Sequence, residues 1–214
     1  MLLSYNELRR EVQARGIVAP IHDAQVNSSS IDVRLGKHIL VEREPEDGNP
    51  RAVSLRDRES LTFETVDLTA MGTPFLLKPG QFVLAHTLEV FNLPLDLSME
   101  FRLNSSAGRM GLSHALAVWA DAGWNGSTMT LELHNVTRYH QLALHYGDRI
   151  GQVVFHRHAP VPRERSYAAR GAYNGHLSAM PAMPAKGGPS APVAPSPAAT
   201  VSAQAKVTPP WLAP

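Results

Sequence analysis

Many short stretches of alternating or β-branched residues, each closed by a turn residue, constrain the fold of this chain most strongly. Gly36, Pro79-Gly80 and Pro94 separate several of them. Short strands at such turn-punctuated intervals are typical of all-β sandwiches and barrels. The pattern lacks the alternation of strands and helices, and the glycine-rich phosphate loop, of nucleotide-binding α/β folds. It therefore predicts a mainly β, jelly-roll type domain with strands over 31–35, 38–41, 75–77, 82–87, 97–101, 127–133, 141–144 and 149–156.

One helix is predicted at the N-terminus. Ser4 and Glu7 have the spacing of a capping box, in which each side chain bonds the backbone N–H of the other residue. Leu8 and Val12 follow at helical spacing, and Gly16 stands where a helix commonly ends. The helix is expected over residues 5–15.

The composition divides the chain into two parts. Residues 1–178 are expected to form the β domain, with a charged surface loop over 44–60 that holds Pro45, Gly48 and Pro50. Residues 179–214 are rich in Ala, Pro and Ser and almost free of charge, so they are predicted to be a disordered tail.

Charge and cysteine content limit the function classes. The formal net charge is +1, which gives no general attraction to nucleic acid or to an acidic membrane surface. The chain has no cysteine, which excludes disulfides and thiolate metal sites. The first residues do not resemble a signal peptide, and no apolar run approaches the roughly 20 residues that cross a bilayer. A cytoplasmic protein that binds neither membrane nor nucleic acid is expected.

Residues 104–109 place two hydroxyls and an arginine directly after a predicted strand. Hydroxyls, backbone N–H groups and a guanidinium together can bind phosphate oxygens. A polar turn with a surface arginine explains the same pattern equally well, so the residues alone leave both interpretations open.

Residues 121–126 contain an acid, a tryptophan and two glycines, and they precede the predicted strand that carries Glu132. On a strand, Glu132 points away from its neighbours Leu131 and Leu133, toward either solvent or a cleft. In an apolar cleft its pKa would be raised, which suits a group that both takes and gives a proton. Taken alone, a solvent-facing glutamate is the simpler explanation.

Residues 167–176 interleave aromatic and basic side chains with small ones. Such a segment can fold over a ligand, and it can equally be a frayed end of the domain.

The order of these segments resembles the dCTP deaminase family, which is related to the trimeric dUTPases. The resemblance covers roughly residues 3 to 178. It is carried by the segments 27–36, 78–85, 87–89, 93–97, by Ser-Ser-x-x-Arg-x-Gly at 105–111, by Asp-x-Gly-Trp-x-Gly at 121–126, by Leu131-Glu132 and by 146–152.

The resemblance implies a distorted jelly roll of dUTPase type that assembles as a homotrimer, with each active site built from neighbouring subunits. Glu132 would deprotonate the water that attacks C4 of cytosine, and would then deliver protons to N3 and to the departing ammonia. Arg109 would hold that water, Ser105 and Ser106 would bind phosphate, and Asp121 would bind the 3′-hydroxyl of deoxyribose.

The resemblance also implies that residues 167–176 close over a triphosphate that carries Mg²⁺. Trp119, Tyr167, Tyr173 and His176 are accordingly predicted to bind substrate. No zinc is expected, because zinc-dependent nucleobase deaminases use His/Cys/Cys or Cys₃ sites and this chain has no cysteine.

Several positions depart from the family pattern. Asn104 stands where an arginine is usual, Val118 and Trp119 replace a His-Arg pair, Ala172 replaces a lysine, and His176 replaces a glutamine. Some of these changes remove cations that would face phosphates.

The favoured hypothesis from sequence is deamination of dCTP, or of a modified or less phosphorylated cytosine deoxynucleotide. The products would be dUTP and ammonia, in a route toward thymidylate. The alternatives are a dUTPase, a bifunctional deaminase and dUTP diphosphatase, and a non-catalytic trimeric nucleotide-binding module.

Overall fold

The protein is described here from a computed structural model, which covers residues 1–50, 52–53, 61–115, 117 and 119–183. Its elements, in chain order, are α1 (Tyr5–Arg15), β1 (Val18–Ala19), β2 (Ile31–Arg34), β3 (His38–Glu42), β4 (Phe63–Asp67), β5 (Phe75–Leu77), β6 (Phe82–Asn92), β7 (Leu97–Leu103), α2 (Ser105–Arg109), β8 (Leu112–His114), β9 (Trp119–Ala120), β10 (Asn125–Asn135), β11 (Leu142–Leu144), β12 (Arg149–Arg157) and α3 (Tyr167–Arg170).

The predicted N-terminal helix is confirmed at both ends. The backbone N–H of Ser4 donates to Oε2 of Glu7 at 2.9 Å, as a capping box requires. Gly16 ends the helix with φ at 57°, a left-handed conformation that glycine adopts without steric cost. Local capping therefore fixes the extent of α1.

Two antiparallel sheets form the domain. One has the strand order β4-β3-β6-β10-β8, with β1 also pairing to β6, and the other has the order β2-β12-β7-β9. A separate pair joins β5 and β11. The mainly β prediction is confirmed, and the predicted strands are present with changes of a few residues at their ends.

The core lies between the two larger sheets. In the first sheet, Leu131 and Leu133 of β10 are fully buried, and in the second, Phe101 of β7 and Phe155 of β12 are fully buried. Because side chains alternate along a strand, the residue between the two leucines must face the other side of its sheet. That residue is Glu132.

Some elements were not predicted. Strands β1, β4, β8 and β9 have weak local signals, since each is short or follows a charged segment. Residues 105–109, expected to form a turn or phosphate cradle, form the short helix α2. The cause is local: the Asn104 side chain accepts a hydrogen bond from the Ser106 N–H at 2.8 Å and caps that helix.

The packed chain continues beyond residue 178. Ala179 is buried against Leu40 and Leu84, so the chain at this residue packs on the first sheet. The rest of the predicted tail, 184–214, and residues 51 and 54–60 of the predicted loop lie outside the described residues. Within the described part of the chain, no helix is long and apolar enough to span a membrane.

Candidate active site

A cavity of about 510 Å³ opens on the face of the first sheet that points away from the core. Most of its wall is hydrophobic, and Thr128 and Thr130 add hydroxyls to it. Five residues that the sequence predicted for the site line this cavity, namely Trp119, Glu132, Tyr167, Tyr173 and His176. The tertiary structure thus places these five predicted positions around one space.

Glu132 projects into this cavity from β10. Its cross-strand neighbour on β6 is Leu84, which also lines the cavity. The Glu132 side chain is 24% exposed, and burial among apolar groups raises the pKa of Glu132 to about 7. A carboxyl group with this pKa exchanges protons readily near neutral pH, which is what a proton shuttle requires. The cleft interpretation of Glu132 therefore replaces the solvent-facing one.

His114 of β8 faces the same carboxyl group and was not predicted from sequence. Its Nε2 atom lies 3.4 Å from Oε2 of Glu132. The imidazole ring packs against Phe101, with ring centroids 4.9 Å apart, and burial lowers the pKa of His114. Both atoms are buried, and among the described residues neither Nε2 nor Oε2 has a hydrogen-bond partner.

The turn after β9 is held to the rest of the domain by glycine geometry and backbone bonds. Gly123 has φ at 86°, and a Cβ atom there would come within 2.9 Å of the Ser166 Cβ atom. The Gly123 N–H donates to the Leu93 carbonyl at 3.1 Å, and the Leu93 N–H donates to the Trp124 carbonyl at 2.8 Å. Only glycine fits this close approach between the turn and Ser166.

Trp124 joins this turn to the core and to the C-terminal segment. Its ring stacks on Phe91 with centroids 5.8 Å apart, and its Nε1–H donates to the Tyr173 carbonyl at 2.6 Å. Trp124 therefore shapes the cavity wall and fixes the position of Tyr173.

The C-terminal segment 172–183 covers one side of the cavity. The Thr128 N–H donates to the His176 carbonyl at 2.8 Å, and the Met180 N–H donates to the Thr130 hydroxyl at 3.2 Å. Met180 and Ala182 also line the cavity. The segment thus lies against β10 beside Glu132, where it would contact a ligand in the cavity.

The predicted phosphate-binding residues do not share this cavity. Ser105, Ser106 and Arg109 are exposed on α2, and Ser106 lines a different groove of about 370 Å³ together with Asp148 and Arg149. Among the described residues, no acidic side chain pairs with Arg109. Within one chain, Arg109 therefore lies outside the cavity that holds Glu132.

Two remaining points concern possible metal ligands and one of the departures from the family pattern. Within the described residues, no three His, Asp or Glu side chains cluster as metal ligands. Val118, one of the departures from the family pattern, lies outside the described residues.

A comparison with models of protein families shows the family to which this chain belongs. The model of the family described as dCTP deaminase-like matches residues 2–158. The chain belongs to the dCTP deaminase-like family. This confirms the resemblance deduced from the segments at 105–111 and 121–126.

Curated relatives of this dCTP deaminase-like chain carry a more specific name. A protein of Rhodococcus jostii (strain RHA1), named "dCTP deaminase, dUMP-forming", is 40% identical over 162 residues, which cover 73% of this chain and 81% of the relative. The protein of the same name from Mycolicibacterium smegmatis is 38% identical over 174 residues, covering 79% and 87% of the two chains.

Among solved structures, the 2′-deoxycytidine 5′-triphosphate deaminase from Agrobacterium tumefaciens matches with a TM-score of 0.56 at 22% identity. The match covers 73% of this dCTP deaminase-like chain and 48% of that protein, so this chain spans about half its length. At this identity the similarity concerns the fold, and it confirms the predicted mainly β architecture.

Proposed function

We propose that this protein converts dCTP and two water molecules to dUMP, pyrophosphate and ammonia. The observation that carries the deamination is the Glu132 carboxyl group, which lies in a mainly apolar cavity with its pKa raised to about 7. The proposed nucleotide product, dUMP, differs from the dUTP that the sequence alone led us to expect. The bifunctional alternative is preferred because the relatives at 38–40% identity are named dUMP-forming.

In the deamination step, ionised Glu132 takes a proton from a water molecule as the water oxygen bonds to C4 of cytosine. Glu132 passes this proton to N3, then takes the remaining proton of the new C4 hydroxyl and delivers it to the amine. The C4–N4 bond breaks as the C4 carbonyl forms, and the amine departs as ammonia. The apolar wall of the cavity favours this step because it brings the pKa of Glu132 close to neutral pH. The same carboxyl group can then act first as base and then as acid. The His114 Nε2 atom lies 3.4 Å from this carboxylate and is the nearest polar neighbour that the structure gives it.

The second step breaks the bond between the α- and β-phosphates, with water supplying the new oxygen of dUMP. Mg²⁺ carried by the triphosphate would neutralise its charge. The dUMP product would supply thymidylate synthesis directly.

A second copy of the chain would complete the site. Arg109, Ser105 and Ser106 are exposed on α2 and lie outside the Glu132 cavity of their own chain. A homotrimer in which α2 of one subunit meets the cavity of its neighbour would bring the guanidinium and hydroxyls to the nucleotide. In this arrangement, Arg109 of one subunit and Glu132 of its neighbour would belong to the same site, which would explain why they lie apart within one chain.

The test is a product assay. The protein is incubated with dCTP and Mg²⁺, and ammonia, dUTP, dUMP and pyrophosphate are quantified over time, with E132Q as the matched control. Equal yields of ammonia, dUMP and pyrophosphate are expected from the wild type and none from E132Q. Accumulation of dUTP without pyrophosphate would mean a simple deaminase, and nucleotide binding without ammonia would mean a non-catalytic module.

Parallel reactions with dCMP, 5-substituted dCTP and dUTP extend the assay to the other hypotheses. Turnover of dUTP alone would indicate a dUTPase. Preference for dCMP or a 5-substituted nucleotide over dCTP would support the substrate suggested by the departures at Asn104 and Ala172.

A further inference from the structure

Ser127, near the start of β10, is fully buried although its side chain is polar. Its hydroxyl oxygen accepts hydrogen bonds from the Gly175 N–H at 2.9 Å and from the His176 N–H at 3.4 Å. Its hydrogen faces two carbonyl oxygens, that of Asn125 at 2.9 Å and that of Tyr173 at 3.2 Å. One buried hydroxyl therefore contacts three residues of the C-terminal segment.

The first half of β10 is irregular at this point. Its pairing with β6 shifts register between Asn125 and Ser127, and again between Thr128 and Thr130. Such irregularities bend a strand and interrupt its regular bonds to the neighbouring strand. The Thr128 N–H donates to the His176 carbonyl at 2.8 Å. This part of β10 thus bonds the C-terminal segment in addition to pairing with β6.

The residues that Ser127 contacts carry two side chains of the cavity wall. Tyr173 and His176 both line the cavity, and their ring centroids lie 6.5 Å apart. The Asn125 N–H also donates to Oδ1 of Asn174 at 3.0 Å, which ties the same stretch to β10. Ser127 does not itself line the cavity, so it can act on this wall only through the backbone of the C-terminal segment.

We propose that Ser127 is a positioning residue that fixes Tyr173 and His176 at the cavity before the nucleotide binds. All of its bonds join parts of one chain, so they do not require a ligand. A wall that is already ordered loses less conformational entropy on binding, which strengthens nucleotide binding. The inference rests on the proposed function for the identity of the nucleotide, and it leaves the chemistry at C4 to Glu132.

Packing is the alternative role of a buried serine. Ser127 pairs with Phe91 on β6, and the Phe91 ring stacks on Trp124. A packing role depends on the volume of the side chain at position 127, whereas a positioning role depends on its hydrogen bonds. Cysteine separates the two roles, because its thiol fills this volume and is only a weak hydrogen-bond donor and acceptor.

The experiment measures KM and kcat for dCTP in the wild type, S127A, S127C and S98A. S127A and S127C should each raise KM about tenfold and change kcat by less than about twofold, because the bonds of a buried hydroxyl are lost while Glu132 is retained. Ser98 is the matched control, since it is also buried and its hydroxyl lies 3.0 Å from Nε2 of His158, outside the cavity. S98A should keep the wild-type KM. A wild-type KM in S127A or S127C, or an equal rise in S98A, would overturn the proposal.

Hydrogen–deuterium exchange of the ligand-free protein tests the same contacts without turnover. Amides of residues 173–176 should exchange about tenfold faster in S127A and S127C than in the wild type or S98A, because local opening becomes easier. If neither variant of Ser127 folds, N174A removes a neighbouring bond to β10 and must raise both KM and the exchange rate.

The two measurements distinguish failure of this inference from failure of the proposed function. A wild type that does not turn over dCTP would refute the proposed function. Normal dCTP turnover, with KM and exchange both unchanged in S127A, would refute the role of Ser127 alone.

Discussion

The Nε2 atom of His114 lies 3.4 Å from the Oε2 atom of Glu132, and both side chains are largely removed from water. A charged imidazole at this distance would favour the ionised carboxylate and lower its pKa. Burial instead lowers the pKa of His114 and keeps the ring neutral, so the carboxyl group retains a pKa of about 7. The pair thus combines a proton acceptor near neutrality with an uncharged neighbour.

The pH dependence of turnover should follow the ionisation of Glu132. The base form is needed to deprotonate water, and its fraction rises with pH through about 7. We expect kcat/KM for dCTP to rise with pH, reach half its plateau near 7 and level off above it. Ammonia release measured between pH 5.5 and 9 tests this, and a flat profile between pH 6 and 8 would contradict it.

The substitution Glu132→Gln should abolish turnover without removing nucleotide binding. Glutamine has a similar shape and cannot accept the proton, and loss of a positioned acid–base group typically lowers rates by about 10²- to 10⁴-fold. The measurement pairs ammonia release with the dissociation constant of dUMP. Loss of both activity and binding would show that Glu132 holds the ligand or the fold.

The same substitution should stabilise the folded protein at alkaline pH. The pKa of Glu132 is about 7 in the folded chain against an ordinary 4.5, so the folded state holds this proton more tightly than the unfolded state does. The folded state therefore loses stability as the pH rises from about 4.5 to about 7. With partial exposure taken into account, E132Q should raise the free energy of unfolding on the order of 2 kcal/mol at pH 8. At pH 5 the gain should be much smaller. Urea unfolding at fixed protein concentration checks the difference, and an equal effect at both pH values would refute it.

Replacement of His114 should shift the pH profile. His114→Leu removes a polar neighbour of the carboxylate and adds apolar surface, so the midpoint of the rising limb should move above 7 and turnover at pH 7 should fall. His114→Asn is the matched control, since it keeps a polar side chain there and should shift the midpoint less. A thermal unfolding scan separates this effect from loss of packing against Phe101.

Subunit mixing tests whether Arg109 and Glu132 of different chains form one site. R109A and E132Q should each be inactive as pure proteins. When they are co-expressed in equal amounts, about a quarter of the sites combine an intact Arg109 with an intact Glu132, so activity should return toward that fraction. No recovery would show that both residues act within one chain.

Chelators should distinguish the proposed magnesium from zinc. The chain has no cysteine for a zinc deaminase site, and a triphosphate substrate requires its own cation. We expect a zinc-selective chelator to leave turnover intact and EDTA to suppress it until excess Mg²⁺ is added. Loss of activity with the zinc-selective chelator, restored by Zn²⁺, would contradict the proposal.

Much of the fold was predictable because its signals are local. The Ser4–Glu7 capping box and Gly16 set the ends of α1, since both act within one helical turn. The alternation around Leu131 and Leu133 predicted a half-buried strand, because side chains on a strand point to opposite faces. Strands β4 and β8 escaped prediction because pairing with β3 and β10, and not local sequence, makes them strands.

The family resemblance located the site residues in the sequence but not in space. His114 reaches Glu132 only because β8 pairs with β10, and the sequence gives no local sign of that contact. Ser105 and Arg109 are predicted for the same site by the family resemblance, and nevertheless they do not line the Glu132 cavity of their own chain. Composition predicts that residues 179–183 belong to the tail, yet Ala179 is buried in a small apolar cluster with Leu40 and Leu84.

The sequence by itself determined the β architecture, the N-terminal helix and the family, through periodicity, caps and ordered motifs. The tertiary structure decided that Glu132 lies in a mainly apolar cavity with a raised pKa and is not a surface glutamate. The physical reason is that its pKa depends on exclusion of water by residues distant in sequence, such as Leu84 on β6 and Met180 in the C-terminal segment.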